Sequence, residues 1–118
     1  GVAKFILTQK EPFLLILLAD QTPTDSRSSH WIQFLNQDTA ILPGPAKLSK
    51  KYNLPIIYHG IRKIKRGYYE CTPKLIVDSD TELDELSISK AHVKELEEEI
   101  KYQPETWLWS HRRWKLKR

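Results

Sequence analysis

Phe13-Leu14-Leu15-Ile16-Leu17-Leu18-Ala19 is the longest apolar run in the chain, and its reading decides the fold class. Pro12 precedes it and the polar stretch from Asp20 to Ser29 follows. The run does not alternate, so both of its faces demand cover, as in a strand at the middle of a parallel sheet. A buried helix is the competitor, but seven residues with a flanking Pro favour the strand. The run is also far short of the ~20 residues that cross a bilayer as a helix. Asp20 then stands at the carboxyl end of a strand, where open α/β sheets place ligand groups. Gln21 to Ser29 reads as a polar loop.

Working downstream, Leu42-Pro43-Gly44-Pro45 introduces a helix from about Pro45 to Asn53, since Pro is tolerated in a first turn. Leu54 to Ile61 reads as a second strand with Pro55 near its start. This strand, helix, strand order predicts a right-handed parallel βαβ crossover. Gly67 turns the chain into Tyr68 to Val77, an antiparallel partner of the second strand, placed at an edge by Pro73. By the period-two rule Tyr69, Cys71, Leu75 and Val77 share one face, and Glu70, Thr72 and Lys74 the other. A helix from Ser87 or Ser89 to about Tyr102 sets Val93, Leu96 and Ile100 toward the core and is stopped by Pro104. Trp107, Leu108, Trp109 and Trp114 are too apolar for a free tail, so part of that end docks on the domain. The fold class is α/β, a partial mixed sheet with a parallel βαβ unit, an antiparallel edge strand and flanking helices.

The length of 118 residues bounds the chain to one domain, or a piece of one, residues 1–118. With 40% apolar and 29% charged residues it is foldable rather than disordered. It contains no Met and begins with Gly1, which reads as a segment from inside a longer polypeptide. An edge exposed in such a segment invites pairing between copies that the whole protein would not make. One cysteine, Cys71, excludes an intrachain disulfide and a cysteine zinc site. No signal peptide is recognisable at this end of the sequence. The net charge of +4 belongs to the tail, because His111-Arg112-Arg113-Trp114-Lys115-Leu116-Lys117-Arg118 holds five of the 19 Lys and Arg residues. A second basic cluster is Arg62, Lys63, Lys65 and Arg66, whereas acids concentrate between Asp78 and Glu99. This separation suits an anionic partner: phosphate, nucleic acid or an anionic membrane surface.

Candidate chemistry is sparse. His92 and Glu97 have the spacing of a His-x4-acid dyad, in which His is a general base and the acid orients it. On a regular helix five residues place them roughly 140° apart, too far round to hydrogen-bond, and the dyad reading is rejected. His30, His59, His92 and His111 form no metal-ligand pair, and no phosphate-cradling Gly loop or Gly-x-Ser-x-Gly elbow occurs. In the tail, Arg112, Arg113 and Lys115 offer donors to phosphate. Trp107, Trp109 and Trp114 suit a membrane interface. The bland alternative is a packed helix end with solvated charges, and for Arg62 to Arg66 an ordinary charged hairpin. A non-enzymatic basic domain that binds nucleic acid or an acidic membrane surface is the rival function. No helix-turn-helix, zinc finger or RNP pattern supports the nucleic-acid form of it.

Several blocks resemble one family in order and spacing. They are Leu18-Ala19-Asp20-Gln21, Phe34-Leu35-Asn36-Gln37-Asp38-Thr39, and Gly44-Pro45-Ala46-Lys47-Leu48, followed by Arg62 and Gly67-Tyr68. The closing block Pro104-Glu105-Thr106-Trp107-Leu108-Trp109-Ser110-His111-Arg112-Arg113-Trp114-Lys115 is the most specific. Together they resemble the late acyltransferases of lipid A biosynthesis, of the lauroyl or myristoyl type. The resemblance implies the C-terminal part of a glycerolipid-acyltransferase-like fold, at the cytoplasmic face of a bacterial inner membrane. It implies transfer of a fatty acyl chain from an acyl carrier protein, or acyl-CoA, to a hydroxyl of a lipid A precursor. No metal or organic cofactor and no nucleic-acid partner is implied. The family's His-x4-acid dyad falls many tens of residues before the Ala-Asp-Gln block, hence before Gly1, and these residues alone are expected to be inactive. Asp20 takes a supporting or catalytic role by resemblance. Thr39, Gly44, Arg62, Arg112, Arg113 and Lys115 take substrate-binding roles. The ending Lys115-Leu116-Lys117-Arg118 departs from the family's common Lys-Thr-Arg-Pro.

Overall fold

A computed structural model describes residues 1–118. Its elements are α1 (Val2–Thr8), β1 (His30–Phe34), β2 (Gln37–Ile41), α2 (Gly44–Tyr52), β3 (Ile56–Lys65), β4 (Tyr68–Val77) and α3 (Glu85–Tyr102), then a 3-10 turn at Pro104–Thr106. The architecture is mixed α/β with two separate two-stranded antiparallel sheets, β1-β2 and β3-β4. No helix is long and apolar enough to cross a membrane.

The parallel βαβ unit expected from Phe13 to Ala19 is therefore corrected. That segment forms no strand, and Leu14, Ile16 and Leu18 are 70–84% exposed. The physical reason is that strand geometry is held by neighbours, and no other segment lies alongside to accept its backbone hydrogen bonds. Its one aromatic packing is Phe13 edge-on to Phe5 of α1, 5.5 Å between ring centres.

Sheet β1-β2 forms just after the polar loop of residues 21–29, in a stretch for which the sequence predicts no element and which includes the block of residues 34–39. Its register runs from His30 opposite Ile41 to Phe34 opposite Gln37. Leu35 and Asn36 make the turn with φ of 49° and 61°, the left-handed pair that a two-residue hairpin needs. Leu35 accepts this strained backbone while packing its side chain on the core.

Helix α3 is the spine of the molecule. Asp84 caps it, its Oδ1 accepting from the Ser87 N–H at 2.7 Å. This bond holds the Asp84 carboxyl below its usual range. Val93 and Ile100 meet Ile32, Phe34 and Ile41 in the main core, with Leu96, Trp107 and Trp114 packed around them. Ile88, one end of α3, closes a second core with Ala46 of α2 and Val77 of β4. The helix reading of Val93, Leu96 and Ile100 as core-facing thus holds.

Helix α2 ends at Asn53, which takes the left-handed cap conformation, φ 53° and ψ 45°. Its side-chain amide clasps Asp80: Nδ2 donates to Oδ1 at 2.6 Å, and Oδ1 accepts from the Asp80 N–H. Asn53→Ala should therefore cost about 1–2 kcal/mol, from left-handed strain and lost hydrogen bonds. Urea midpoints of Asn53→Ala and Asn53→Gly separate the two parts, because Gly retains only the backbone freedom. Equal midpoints for native and Asn53→Ala chains would discard the clasp as a stabiliser.

The β3-β4 ribbon pairs as expected, with His59 opposite Pro73 and Ile61 opposite Cys71. A bulge between Ile56 and Ile57 turns Val77 away from the face that holds Leu75 and into the second core. Tyr69, Cys71 and Leu75 are exposed, and the ribbon's polar face lies beneath α3. There Glu95 takes Lys74 at 2.7 Å and Glu99 takes Arg62 at 2.9 Å. Gln103 spans Lys63 with hydrogen bonds to both its N–H and its carbonyl. Gly60 is buried directly under the Glu99 carboxylate; a Cβ at position 60 would lie 3.2 Å from Cδ of Glu99.

Candidate functional site

The closing block folds back over the turn that begins at Asp20. Thr22 anchors it: its hydroxyl donates to the Arg113 carbonyl at 2.7 Å, and its N–H faces Nε2 of His111 at 3.3 Å. Two indoles hold the block from below. Trp107 meets Phe34 edge-on at 6.1 Å and Trp114 stacks on it at 6.2 Å. Trp114 Nε1 donates to the Thr39 hydroxyl at 2.8 Å, and that hydroxyl donates to the Gln37 carbonyl at 2.8 Å. Of the three tail indoles considered for an interface, only Trp109 is more than half exposed.

Between these anchors Arg113 is drawn inside, 2% exposed. One nitrogen, Nη2, donates to the Ala40 carbonyl at 2.8 Å, while Nε and Nη1 have no partner. Burial lowers its guanidinium from the usual value, and the charge of Asp20 opposes that drift. The same carboxylate acts on His92, partly buried on α3. Burial pushes the His92 imidazole down from its ordinary 6.5; Asp20 works against this and Arg113 reinforces it. Tyr58 of β3 lies next along, 6.1 Å from His92 between ring centres. Its phenol is pushed up to about 12 by burial, and by Glu99, Glu95 and Asp20. It is a hydrogen-bond donor at any neutral pH. A narrow crevice lined by Asp20, Gln21, Trp107, Leu108 and His111 opens beside this cluster. The charge of the Asp20 carboxylate thus reaches both the His92 imidazole and the under-used Arg113 guanidinium. Such a set can orient a hydroxyl or carbonyl and steady charge that develops on it.

Asp20 and Arg113 are thus brought together. Thr39 is 1% exposed, and its hydroxyl is engaged by Trp114 and Gln37. Gly44 opens α2, and a Cβ at this position would meet only Leu42 Cδ2, at an ordinary 3.9 Å. Arg62 lies in a different groove, of about 350 Å³, lined among others by Tyr58, Glu70, Lys74, Glu95 and Glu99. There it pairs with Glu99 and stacks over Tyr102, 3.9 Å from the ring centre. Arg112 and Lys115 are exposed. His92 does not pair with Glu97, which bonds Lys101 one turn on at 3.2 Å. Sequence reasoning missed Thr22, Tyr58 and the company His92 keeps. Only Thr22, two residues past Asp20, left a signal in the sequence.

The His92 environment predicts a pH dependence of stability. Above about pH 6.5 both folded and unfolded imidazoles are neutral and stability is complete. As pH falls below 6.5 the unfolded chain binds its proton first, so stability drops until the folded imidazole also titrates. Urea midpoints between pH 7.5 and 5 should fall for the native chain, and less steeply for His92→Gln. Parallel curves would show that another group is responsible.

A family model described as bacterial lipid A biosynthesis acyltransferase matches residues 3–116. The chain belongs to the bacterial lipid A biosynthesis acyltransferase family. No curated protein and no solved structure matches it.

Proposed function

We propose that residues 1–118 form the supporting side of an acyl-transfer site that works at the cytoplasmic face of a bacterial inner membrane. The reaction moves a fatty acyl chain from a thioester, on acyl carrier protein or coenzyme A, to a hydroxyl of a lipid A precursor. The observation that carries this reading is the docking of the closing block onto the Asp20–Thr22 turn. The two blocks nearest in kind to the family's chemistry meet in space although about 90 residues separate them in sequence.

In this reading Asp20 orients a polar group of the substrate or of the general base, and Arg113 supplies a fixed positive field behind it. Exposed Arg112 and Lys115 face outward to hold phosphate, of the lipid or of the carrier's prosthetic arm. The proton-abstracting His–acid pair comes from residues other than these, since Glu97 is engaged by Lys101 and His92 lies toward Tyr58.

Acyl transfer from a radiolabelled acyl carrier protein to a lipid A precursor tests the proposal. Residues 1–118 alone should give no product, and an acyltransferase chain that contains them should lose most of its kcat on Asp20→Asn. Turnover by residues 1–118, or full activity of the Asp20→Asn enzyme, would overturn it.

A further inference from the structure

The distal half of the β3-β4 ribbon does nothing for the core. Every residue from Lys63 to Leu75 is exposed. The aliphatic and aromatic side chains there stand free: Ile61 and Ile64 are 61–62% exposed, Tyr68 and Tyr69 60–65%. Ribbon tips in water normally carry polar turn residues, so so much apolar surface on one projection signals a partner. Its charges are equally one-sided. Lys63, Lys65 and Arg66 form no ion pair, while Arg62 and Lys74, nearer α3, are both neutralised. The one acid of the tip, Glu70, lines the groove on the α3 side of the ribbon. Lys65 reaches over the Tyr68 ring, 4.4 Å from its centre, keeping cation and aromatic at one level.

We infer that this hairpin tip docks on an anionic lipid bilayer, with Ile61, Ile64, Tyr68 and Tyr69 at the headgroup–acyl boundary and Lys63, Lys65 and Arg66 against lipid phosphates. Charge complementarity selects an anionic occupant. Within the anionic class, branched aliphatic side chains find cover in hydrocarbon but none along a phosphodiester backbone. Tyr is suited to the boundary, its ring in the apolar zone and its hydroxyl in the wet one. The inference does not depend on the acyl-transfer proposal, because none of these residues belongs to the Asp20–Arg113 cluster.

The natural uniqueness of Cys71 allows a direct test. In a Cys71→Ser background, Ile64→Cys carries an environment-sensitive fluorophore, and Lys51→Cys carries it on the exposed side of α2. Vesicles of 30% phosphatidylglycerol in phosphatidylcholine should shift the emission at position 64 to the blue and shield it from iodide, with no change at position 51. Reversing two tip charges, Lys65→Glu with Arg66→Glu, should weaken vesicle partitioning at least about 25-fold, from about fivefold per charge. The matched reversal Lys47→Glu with Lys51→Glu, on exposed positions of α2, should weaken it much less. These sites are exposed, and circular dichroism verifies that the variants fold. The inference is overturned by vesicle-bound protein with no shift at position 64. It is equally overturned by tip reversals no worse than the matched ones, or by duplex DNA producing the same shift at matched salt.

Discussion

Phe34→Ala is expected to cost about 3–5 kcal/mol, enough to leave the domain largely unfolded at room temperature. Phe34 is 1% exposed and stands where β1, the two indoles and α3 converge. Only 15 of the 118 residues are buried, so little other apolar packing stands in reserve. Truncation would remove the ring that Trp107 and Trp114 rest on and release the closing block from beneath. Urea denaturation followed by Trp fluorescence measures this. Phe34→Leu should recover more than half of the loss, since it refills much of the volume. A loss below 1 kcal/mol for Phe34→Ala would mean that the closing block is held by its hydrogen bonds alone.

Arg113 should respond to substitution with opposite signs. Arg113→Ala removes a buried stem and leaves a cavity, at a cost of roughly 2–4 kcal/mol. Arg113→Met fills much of the same space and abolishes two unpartnered nitrogens, Nε and Nη1, each of which costs roughly 1–3 kcal/mol when buried. It also gives up the hydrogen bond to Ala40, so its net stability should equal the native value or exceed it by up to about 2 kcal/mol. Urea midpoints of the two variants decide. If Arg113→Met is as damaging as Arg113→Ala, the guanidinium is there for the fold. If it is benign, the charge is retained for what it does beside Asp20 and His92.

Helices α2 and α3 were legible because each carries its own punctuation. Pro45 and Asn53 bound the first; Val93, Leu96 and Ile100 at helical spacing, with Pro104 beyond, define the second. The β3-β4 pairing was legible from Gly67 at a turn between two apolar-rich stretches. Sheet β1-β2 was not, because Leu35-Asn36 is not a turn pair that sequence announces. The period-two rule grouped Tyr69, Cys71 and Leu75 on one face correctly but wrongly added Val77, which the bulge turns to the other side. It could not say which face α3 would cover, and the polar one was taken because Glu95 and Glu99 offered it partners. Phe13 to Ala19 shows the limit most plainly. A pattern of apolar residues states a demand for cover, and the cover has to come from elsewhere.

In the site, the angle between positions 92 and 97 was enough to separate His92 from Glu97. That His92 and Arg113 share the field of Asp20 was out of reach, because the three residues come from a turn, a helix and the tail. The motif blocks named Asp20 and Arg113. They also named Thr39 and Arg62, whose polar groups the fold already occupies.

Toward its tip the seam between α3 and the ribbon is made of ion pairs and amide hydrogen bonds, with an apolar base where Ile88 meets Val77, whereas the seam between α3 and β1-β2 is mainly apolar. The two seams answer to different solvents. Salt screens the first and leaves the second intact, while cooling weakens the second more than the first. The ribbon beyond its apolar base should therefore open before the rest, its amides exchanging with deuterium sooner as ionic strength rises. A surface crowded with fixed phosphate charge is also an ionic medium, so the setting that would receive the ribbon's tip would loosen its hold on α3 as well.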